Sequence, residues 1–333
     1  MGKRTVIFRA DGSTTIGMGH FIRSLALAEM LNNNFHCVFA TCIPTEYQKC
    51  EIQKSCHKRI DLPADDSHFQ IFLSLLEGHE IVVLDNYYFD TEYQMAIKSK
   101  GCKLVCIDDI HDKHYVADIV INHAEGIKTV NYSVENYTQL LLGYKYALLR
   151  KDFLKATKQK RSITAKTFNA FINLGGSDPE TLIVKTTNIF LKHPLIDEIN
   201  LISKVNLDLL DNPYNKKVNQ FWNLSAKEMA HYMLCSDIGF LPASTISVEA
   251  CACRLPFIGG WFVENQINIY NAIINRGLAI GIGNIYNLTD IILFNAISDL
   301  TKNENHVNII TRQKDILDGN SDNRFQKTFK SLC

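Results

Sequence analysis

The sequence has no excess of charge of either sign. Its 333 residues include 35 Lys and Arg against 35 Asp and Glu, which gives a formal net charge of +0. Proteins that bind nucleic acid or acidic membranes generally carry a basic surface that attracts phosphates. We therefore expect no nucleic acid among the partners of this chain.

Long apolar runs are absent as well. No stretch approaches the roughly 20 residues that span a bilayer. Strand-like sequence begins at Thr5, without the apolar segment of a secretory signal. We therefore expect a cytoplasmic protein that does not insert into membranes. We also expect a small-molecule substrate, and a protein that is a monomer or a weak dimer.

The sequence has ten cysteines but no Cys-x-x-Cys pair. Several lie singly in apolar stretches: Cys37, Cys102, Cys106 and Cys235. Cys251 and Cys253 are closer together, but on a helix their thiols would point to different sides. This pattern is typical of small buried hydrophobic residues rather than disulfides or metal ligands. We expect no metal and no cofactor.

Short apolar strands alternate with helical spacing along the chain. The first half predicts strands at residues 5–10, 36–42, 80–85, 103–108 and 117–122. The second half predicts strands at 168–174, 199–203, 218–222, 238–241, 257–260 and 279–282, and a helical tail over 288–333. Such βαβ alternation predicts parallel, doubly wound sheets in an α/β protein.

The composition divides the chain into two domains. Residues 151–166 are basic and lose their periodicity, which is typical of a linker or of a solvated loop. We expect an N-terminal α/β domain over 1–152, a linker over 153–166 and a C-terminal α/β domain over 167–333. Ligands of such sheets bind beyond the carboxyl ends of the strands.

A glycine-rich turn joins the first strand to the first helix. Gly17 and Gly19 leave backbone N–H groups and the positive end of a helix dipole for an anion, while His20 and Arg23 can move a proton and hold a charge. The third glycine of a dinucleotide-binding turn is missing, as is the Lys of a P-loop. We take Asp11, Gly17, Gly19 and Arg23 as substrate-binding candidates; a purely structural turn is the alternative.

Three further strand ends carry polar residues. Asp85 ends the predicted strand 80–85 and Tyr87 comes shortly after it. The carboxylate suits the orientation of an imidazole, and the phenol suits a hydrogen bond to substrate. The alternative is a helix cap with an aromatic ring packed beneath it. That structural reading is favoured for Tyr88.

The second such end opens the helix predicted at 245–253. Ser244, Thr245 and Ser247 can bind a pyrophosphate together with helix N–H groups, and Glu249 can accept both hydroxyls of a ribose. N-capping and a favourable helix dipole explain the same residues without a ligand. The isolated segment leaves both interpretations open.

The third end is Glu264-Asn265-Gln266, whose amides suit sugar hydroxyls or an N-acetyl group. For Glu264 we prefer an exposed helix start. The turn over residues 175–178 resembles a weaker version of the same arrangement. Its Gly176 is a candidate for shaping the site near a nucleotide base.

Residues 8–23, FRADGSTTIGMGHFIR, resemble the signature of the UDP-sugar hydrolases of pseudaminic acid biosynthesis and of the related spore-coat polysaccharide proteins. The hydrolases act on UDP-2,4-diacetamido-2,4,6-trideoxy-β-L-altropyranose. The resemblance continues along nearly the whole chain, through residues 84–87, 107–109, 173–178, 247–250 and 264–266. The later motifs are shared with GT-B glycosyltransferases such as the peptidoglycan GlcNAc transferase.

The resemblance implies a GT-B-like fold, with two Rossmann-like domains and a cleft between them. It implies metal-independent hydrolysis in which water attacks the anomeric carbon with inversion and releases UDP. His20 would be the general base, which suits an imidazole because its ordinary pKa is about 6.5. Tyr87 would assist in the sugar pocket, Glu249 would hold the ribose, and Asn265 and Gln266 would line the sugar–phosphate region.

Two departures from the family pattern concern the sugar. Asn86 stands where many relatives have a histidine, and Trp261 and Phe262 make the rim before the Glu-Asn-Gln motif bulkier. Two other functions remain open: a UDP-sugar-dependent glycosyltransferase, and a nucleotide-sugar-binding protein without turnover. No dense apolar and basic patch for a membrane-lipid acceptor is evident in the N-terminal half, and water is the simpler acceptor.

Overall fold

The structure is a computed structural model that describes residues 2–13, 17–161, 167–175 and 179–333. It divides into two compact units, one of Met1–Lys151 with Asn320–Cys333 and the other of Asp152–Gly319. The end of the chain therefore belongs to the first unit, whereas the sequence analysis assigned it to the C-terminal domain.

The N-terminal unit is a parallel α/β layer structure. Its strands are β1 (Thr5–Ala10), β2 (His36–Cys42), β3 (Lys58–Leu62), β4 (Ile81–Asp85), β5 (Lys103–Ile107), β6 (His114–Tyr115), β7 (Ile119–Asn122), β8 (Ser133–Val134) and β9 (Gln139–Leu142). The helices between them are α1 (Gly19–Leu31), α2 (Glu46–Ser55), α3 (Ser67–Ser74) and α4 (Thr91–Ser99). Seven strands form one sheet of order β3-β2-β1-β4-β5-β7-β9, and β6 pairs with β8 separately.

The strand order reverses at the centre of this sheet. β1 lies between β2 and β4, and its register with β4 pairs Ala10 with Asp85. In parallel sheets of this kind, ligands bind at the carboxyl ends of the strands beside such a reversal. The loops after β1 and β4 therefore begin at the expected ligand position of the unit.

The two edge strands, β3 and β9, were not predicted. β3 has the sequence KRIDL and is mostly exposed. It lies at the edge of the sheet, where only one neighbouring strand, β2, covers it. Charged side chains on an edge also discourage pairing with other chains. The buried strands β1 and β2 confirm the predicted bounds at both ends.

The C-terminal unit repeats the architecture. Its strands are β10 (Phe168–Ile172), β11 (Ile196–Ile202), β12 (Lys217–Phe221), β13 (Ile238–Pro242), β14 (Phe257–Trp261) and β15 (Ile280–Asn284). Its helices are α5 (Lys151–Ala156), which begins at the unit boundary, α6 (Glu180–Lys192), α7 (Ala226–Cys235), α8 (Thr245–Ala252), α9 (Ile267–Asn275), α10 (Asp290–Leu300) and α11 (Asn303–Ile316). The sheet is parallel in the order β12-β11-β10-β13-β14-β15, so that β10 and β13 flank its reversal.

The last helix, α12 (Ser321–Lys330), packs on the N-terminal unit. Phe325 and Phe329 are fully buried, and the Phe329 ring lies 6.2 Å from that of Phe35. The Arg4 guanidinium also donates a hydrogen bond of 2.7 Å to the carbonyl of Leu332. The helical tail was predicted, but its spacing gives no indication of which unit its apolar face covers.

The predicted linker 153–166 is partly helical. α5 continues through its first residues and buries Phe153 completely, while residues 162–166 lie outside the described part of the chain. The cysteine prediction holds for Cys37, Cys102 and Cys106, which are buried free thiols. It is wrong for Cys235, which is exposed because it ends α7 on the solvent side.

Each unit has its own apolar core. One gathers side chains from β10, β11, β13 and the helices α6 and α10, and the other gathers side chains from β1, β2, β4, β5 and the helices α3 and α4. Among the described residues, none of the helices has the length and apolar character to span a membrane.

Candidate active site

The first turn of α1 carries the central histidine. His20, Arg23 and Ser24 follow a spacing of three and four residues, which places them on one face of a helix. All three are buried, and His20 is 4% exposed. They face Asp85 at the end of β4, so that the helix after β1 meets the neighbouring strand.

Asp85 is fully buried and accepts hydrogen bonds on both carboxylate oxygens. Nε of Arg23 lies 2.8 Å from Oδ2 and its second terminal nitrogen lies 2.6 Å from Oδ1. Ser24 donates to Oδ2 at 2.9 Å. Burial acts to raise the pKa of Asp85, but Arg23 and His20 together lower it below its ordinary value. The carboxylate is therefore charged at neutral pH.

The contacts of His20 determine its tautomer. Nδ1 lies 2.7 Å from Oδ1 of Asp85 and 3.1 Å from a terminal nitrogen of Arg23. A guanidinium only donates and an ionised carboxylate only accepts, so Nδ1 can serve only one of them. The shorter contact, to the carboxylate, assigns the proton to Nδ1. In the neutral imidazole with this tautomer, Nε2 carries the lone pair, and it has no hydrogen-bond partner within the described ranges.

Tyr87 lies against the imidazole. Its ring meets that of His20 edge to face, with 4.6 Å between the centroids, and its hydroxyl donates to Oδ2 of Asp109 at 3.1 Å. Arg23 donates to the same oxygen at 2.9 Å. The structure thus brings His20, Arg23, Asp85 and Tyr87 together. Residues after neighbouring parallel strands were expected to meet at the carboxyl ends of those strands.

Asp109 was not among the predicted site residues. Asp108 and Asp109 are adjacent acids that follow β5. The sequence shows that this strand end is polar, but it does not indicate which of the two carboxylates faces Arg23. Asp108 instead holds its own loop, accepting hydrogen bonds from the amide of His111 and the hydroxyl of Tyr132. Only the three-dimensional arrangement assigns Asp109 to the Arg23 side.

His123 is a second missed residue, at the end of β7. It is 2% exposed, and its Nδ1 accepts a hydrogen bond of 3.2 Å from the amide of Leu148. Burial and the nearby charge of Arg23 lower the pKa of His123 to about 4. It is therefore neutral at physiological pH.

The glycine-rich loop is only partly described, because residues 14–16 lie outside the described ranges. Gly17 has a φ of +82°, which favours glycine, and its carbonyl accepts a hydrogen bond from the amide of Ser13. Gly19 is the first residue of α1. A side chain on Gly12 would come within 2.8 Å of Cβ of Phe21, so this position also requires glycine.

Asp11 directs its carboxylate into the protein. Oδ1 accepts hydrogen bonds from the Thr41 hydroxyl at 2.9 Å and from the Cys42 amide at 2.7 Å, and it pairs with Arg9 at 2.7 Å. Oδ2 accepts a hydrogen bond from the hydroxyl of Tyr88. Both oxygens are thus engaged by neighbouring side chains and backbone.

In the C-terminal unit, α8 begins after β13 at the strand-order reversal. Ser244 precedes the helix, and its side chain makes no capping hydrogen bond to the part of the chain that is described. Thr245 is half-buried, whereas Ser247 is fully buried and donates to the carbonyl of Ser244 at 2.6 Å. Glu249 is 3% exposed. The predicted residues therefore share one helix start, with Ser247 closing its first turn.

The remaining candidates follow β10 and β14. Asn265 and Gln266 lie in a short 3-10 turn, Glu264–Gln266, where both are half-buried and Oε1 of Gln266 accepts from the amide of Phe262. Gly175 has a φ of +89°. Gly176 lies outside the described residues, so its predicted role stays a prediction.

Among the described residues, one group of potential metal ligands is close enough to share an ion. Glu77, His79 and Glu80 form it in the turn before β4. Glu77 and His79 are exposed, and Glu80 already accepts hydrogen bonds from the amides of Glu77 and Gly78. This cluster is an exposed acidic turn.

The chain matches no family profile. It is 27% identical to the UDP-2,4-diacetamido-2,4,6-trideoxy-β-L-altropyranose hydrolase of Campylobacter jejuni over 264 residues, or 78% of this chain and 93% of that protein. The chain resembles this UDP-sugar hydrolase. It is also 24% identical over 299 residues to the spore coat polysaccharide biosynthesis protein SpsG of Bacillus subtilis, covering 82% of each chain. The resemblance expected from residues 8–23 is confirmed.

Solved structures establish the fold. The crystal structure of MurG from Acinetobacter baumannii superposes with a TM-score of 0.66 at 11% identity, covering 99% of this chain and 100% of that one. The chain therefore has the GT-B fold, with two Rossmann-like domains, as expected. At this identity the likeness concerns the fold alone.

Proposed function

We propose that this protein hydrolyses a UDP-linked deoxy-diacetamido sugar and releases UDP and the free sugar, as a step toward a nonulosonic acid such as pseudaminic acid. Two observations support the proposal. The chain resembles a UDP-sugar hydrolase over most of its length, and in the N-terminal unit Nδ1 of the buried His20 lies against the Asp85 carboxylate while Nε2 has no partner among the described residues. The second observation carries the mechanism.

His20 is the general base in this proposal. With its proton on Nδ1 directed at Asp85, Nε2 is able to take a proton from water. The water oxygen then bonds to the anomeric carbon, while the bond between that carbon and the UDP oxygen breaks and its electron pair leaves with UDP. The proton passes from His20 to solvent after the reaction. General base catalysis of this kind contributes typically ~10²–10⁴-fold in rate.

Asp85 and Arg23 keep the base in its working state. The carboxylate fixes the orientation of the imidazole and stabilises the imidazolium that forms when Nε2 gains a proton. Arg23 holds Asp85 ionised through its two hydrogen bonds, and the charge of Asp109 balances the same guanidinium. Before the reaction the cluster thus holds two carboxylates against one guanidinium, and the imidazolium formed at His20 supplies the second positive charge.

Tyr87 forms one wall beside the imidazole and contacts the sugar in this proposal. A single displacement by water from the face opposite UDP gives an inverted anomeric centre. Gly17 and Gly19 allow the backbone to approach the sugar closely. A residue with a side chain at position 17 would strain the backbone, because Gly17 has a positive φ.

UDP is bound by the C-terminal unit through the start of α8. The helix N-terminus and the hydroxyls of Ser244 and Thr245 meet the charge of the pyrophosphate, so that the developing charge needs no metal ion. Glu249 accepts the ribose hydroxyls, while Asn265 and Gln266 bind near the sugar and phosphate. The uncapped Ser244 side chain supports this assignment.

The test is a panel of UDP-sugars with purified protein, in which NMR follows both UDP release and the anomeric configuration of the free sugar. We expect one deoxy-diacetamido sugar to be cleaved with inversion. His20→Asn and His20→Leu should retain UDP affinity and lose turnover, while His231→Leu, an exposed histidine of α7, should remain active. An active His20→Leu enzyme contradicts the mechanism.

The same assay separates hydrolysis from the two other functions. A glycosyltransferase of this fold is nearly silent with a UDP-sugar alone and gains turnover when an acceptor is added. A binding protein without turnover binds the UDP-sugar but releases no UDP under either condition. Rapid UDP release in water alone excludes both.

A further inference from the structure

A second polar cluster, with Arg9 fully buried and Tyr88 partly exposed, lies at the end of the strand that precedes the active-site loop. Arg9, Asp11, Cys42, His68 and Tyr88 form it at the carboxyl ends of β1, β2 and β4, and we name it the Arg9 network. None of these residues contacts His20 through a hydrogen bond among the described residues. Tyr88 joins this network, whereas the preceding residue, Tyr87, contacts His20.

Arg9 is the centre of this network. It is fully buried, and one terminal nitrogen pairs with Asp11 at 2.7 Å. The other lies 3.2 Å from Sγ of Cys42, 3.2 Å from Nδ1 of His68 and 3.3 Å from the hydroxyl of Tyr88. Because a guanidinium only donates, Nδ1 of His68 must accept, and its imidazole is neutral.

Asp11 connects three strands. Its contacts with Thr41 and Cys42 tie the end of β1 to the end of β2, and its contact with Tyr88 reaches the loop after β4. Burial acts to raise the pKa of the Asp11 carboxyl, but Arg9 and the Tyr88 hydroxyl lower it. Burial and the neighbouring Asp11 raise the pKa of Tyr88, so its hydroxyl stays a donor.

Hydrogen bonds hold both of the adjacent tyrosines, Tyr87 and Tyr88. The Tyr87 hydroxyl is bound by Asp109, its carbonyl accepts a hydrogen bond of 2.7 Å from Nζ of Lys113, and Tyr88 is bound by Asp11. The segment that carries the Tyr87 ring is therefore held by two contacts of Tyr87 itself and by one contact of the next residue in the chain.

A buried ion pair such as that of Arg9 with Asp11 is weak evidence for a role in stability. Replacing a buried ion pair by apolar residues of similar volume is often neutral or stabilising, because desolvation offsets the attraction between the charges. β1 and β4 are already paired along their length. The network's more specific consequence is geometrical, since directed hydrogen bonds define the position of a loop more narrowly than apolar packing does.

We propose that the Arg9 network is a positioning device for the proposed hydrolysis: Tyr88, held by Asp11 and Arg9, fixes the loop that places the Tyr87 ring against His20. Asp11 then acts through this loop and does not bind substrate. The inference rests on the proposed function only for its effect on the rate. The effect on the His20 environment is independent of the substrate.

The first test is NMR of the His20 ring protons, assigned by their loss in His20→Leu. Ring currents of Tyr87 make these resonances sensitive to its position. We expect Tyr88→Phe to shift them and Tyr93→Phe to leave them unchanged. Tyr93 is a matched control, because its hydroxyl bonds to the carbonyl of Phe69 and its ring lies in the same aromatic cluster. Unchanged His20 resonances in Tyr88→Phe overturn the proposal.

The second test is a double-mutant cycle in turnover. Tyr88→Phe should lower kcat about ten-fold or more, because small misplacements of catalytic groups are costly, and should leave UDP affinity unchanged. Tyr87→Phe should cost less in the Tyr88→Phe background than alone, since its ring is already displaced. Additive effects, or an equal loss in Tyr93→Phe, overturn the inference. A wild-type protein that cleaves no UDP-sugar refutes the proposed function, while the NMR shift still decides the positioning role.

Discussion

Arg23 and Asp85 form a bidentate ion pair within the N-terminal unit. Two nitrogens of the guanidinium lie 2.8 and 2.6 Å from the two carboxylate oxygens, and both side chains are buried. Arg23 is three residues after His20 on α1, so the helix that presents the imidazole also supplies the cation that keeps its partner charged. One helix, α1, thus supplies both the imidazole of His20 and the guanidinium of Arg23, and the end of one strand, β4, supplies the carboxylate of Asp85.

Asp85→Asn should reduce kcat by ~10²–10⁴-fold and change KM little, because the neutral amide no longer stabilises a protonated imidazole. Steady-state kinetics with the cleaved UDP-sugar measures this. Ser24→Ala removes a neutral donor from the same carboxylate and should lower kcat much less. Wild-type turnover in Asp85→Asn refutes the role of the carboxylate.

The sequence was most informative where local pattern and burial agree. The bounds of β1 and β2 were predicted and are observed. Polar edge strands such as β3 escaped prediction because their burial depends on a single neighbour. Hydrogen bonds between distant strand ends carry no local pattern either. Nothing in the chain around Asp11 indicates that Tyr88 bonds to it.

Glu249→Gln tests the nucleotide side of the proposal. A hydrogen bond to a charged group contributes about 1.5–3 kcal/mol, so UDP should bind about 10–100-fold more weakly to the variant. Titration calorimetry with UDP measures the affinity, and thermal unfolding checks that the variant folds. Glu264→Gln makes the same change at an exposed residue of the neighbouring turn and should bind UDP normally. Equal affinities for the two variants contradict the ribose assignment.

His123 gives the N-terminal unit a defined pH dependence. Its pKa of about 4 in the folded protein lies below the ordinary value of 6.5, so the unfolded chain binds a proton first as the pH falls. The stabilisation from neutral His123 is complete above about pH 6.5 and is lost at up to about 1.4 kcal/mol per pH unit toward pH 4. His123→Asn keeps an acceptor for the Leu148 amide and should flatten this dependence. Urea unfolding at pH 7 and pH 5 measures the free energy of unfolding of both proteins. If that free energy falls between pH 7 and pH 5 by the same amount in His123→Asn as in the wild type, the assignment is contradicted.

Arg254 stabilises the C-terminal unit through helix ends. It is 5% exposed, and its guanidinium donates to the carbonyls of Cys251, Gln313, Leu317 and Thr157, at distances of 3.0, 2.8, 3.0 and 3.2 Å. These carbonyls belong to the ends of α8 and α11 and to the residue after α5. Helix C-termini carry partial negative charge, so they compensate a buried cation without a carboxylate.

Arg254→Met should therefore lower the free energy of unfolding by about 3 kcal/mol or more, because buried carbonyls lose their donors. Arg254→Lys keeps the charge but loses the fork of the guanidinium, so we expect an intermediate loss. Arg312→Met makes the same change at an exposed position of α11 and should stay within about 0.5 kcal/mol of the wild type. Urea unfolding of the three variants decides the matter: if Arg254→Met is as stable as Arg312→Met, the helix-end carbonyls do not depend on Arg254.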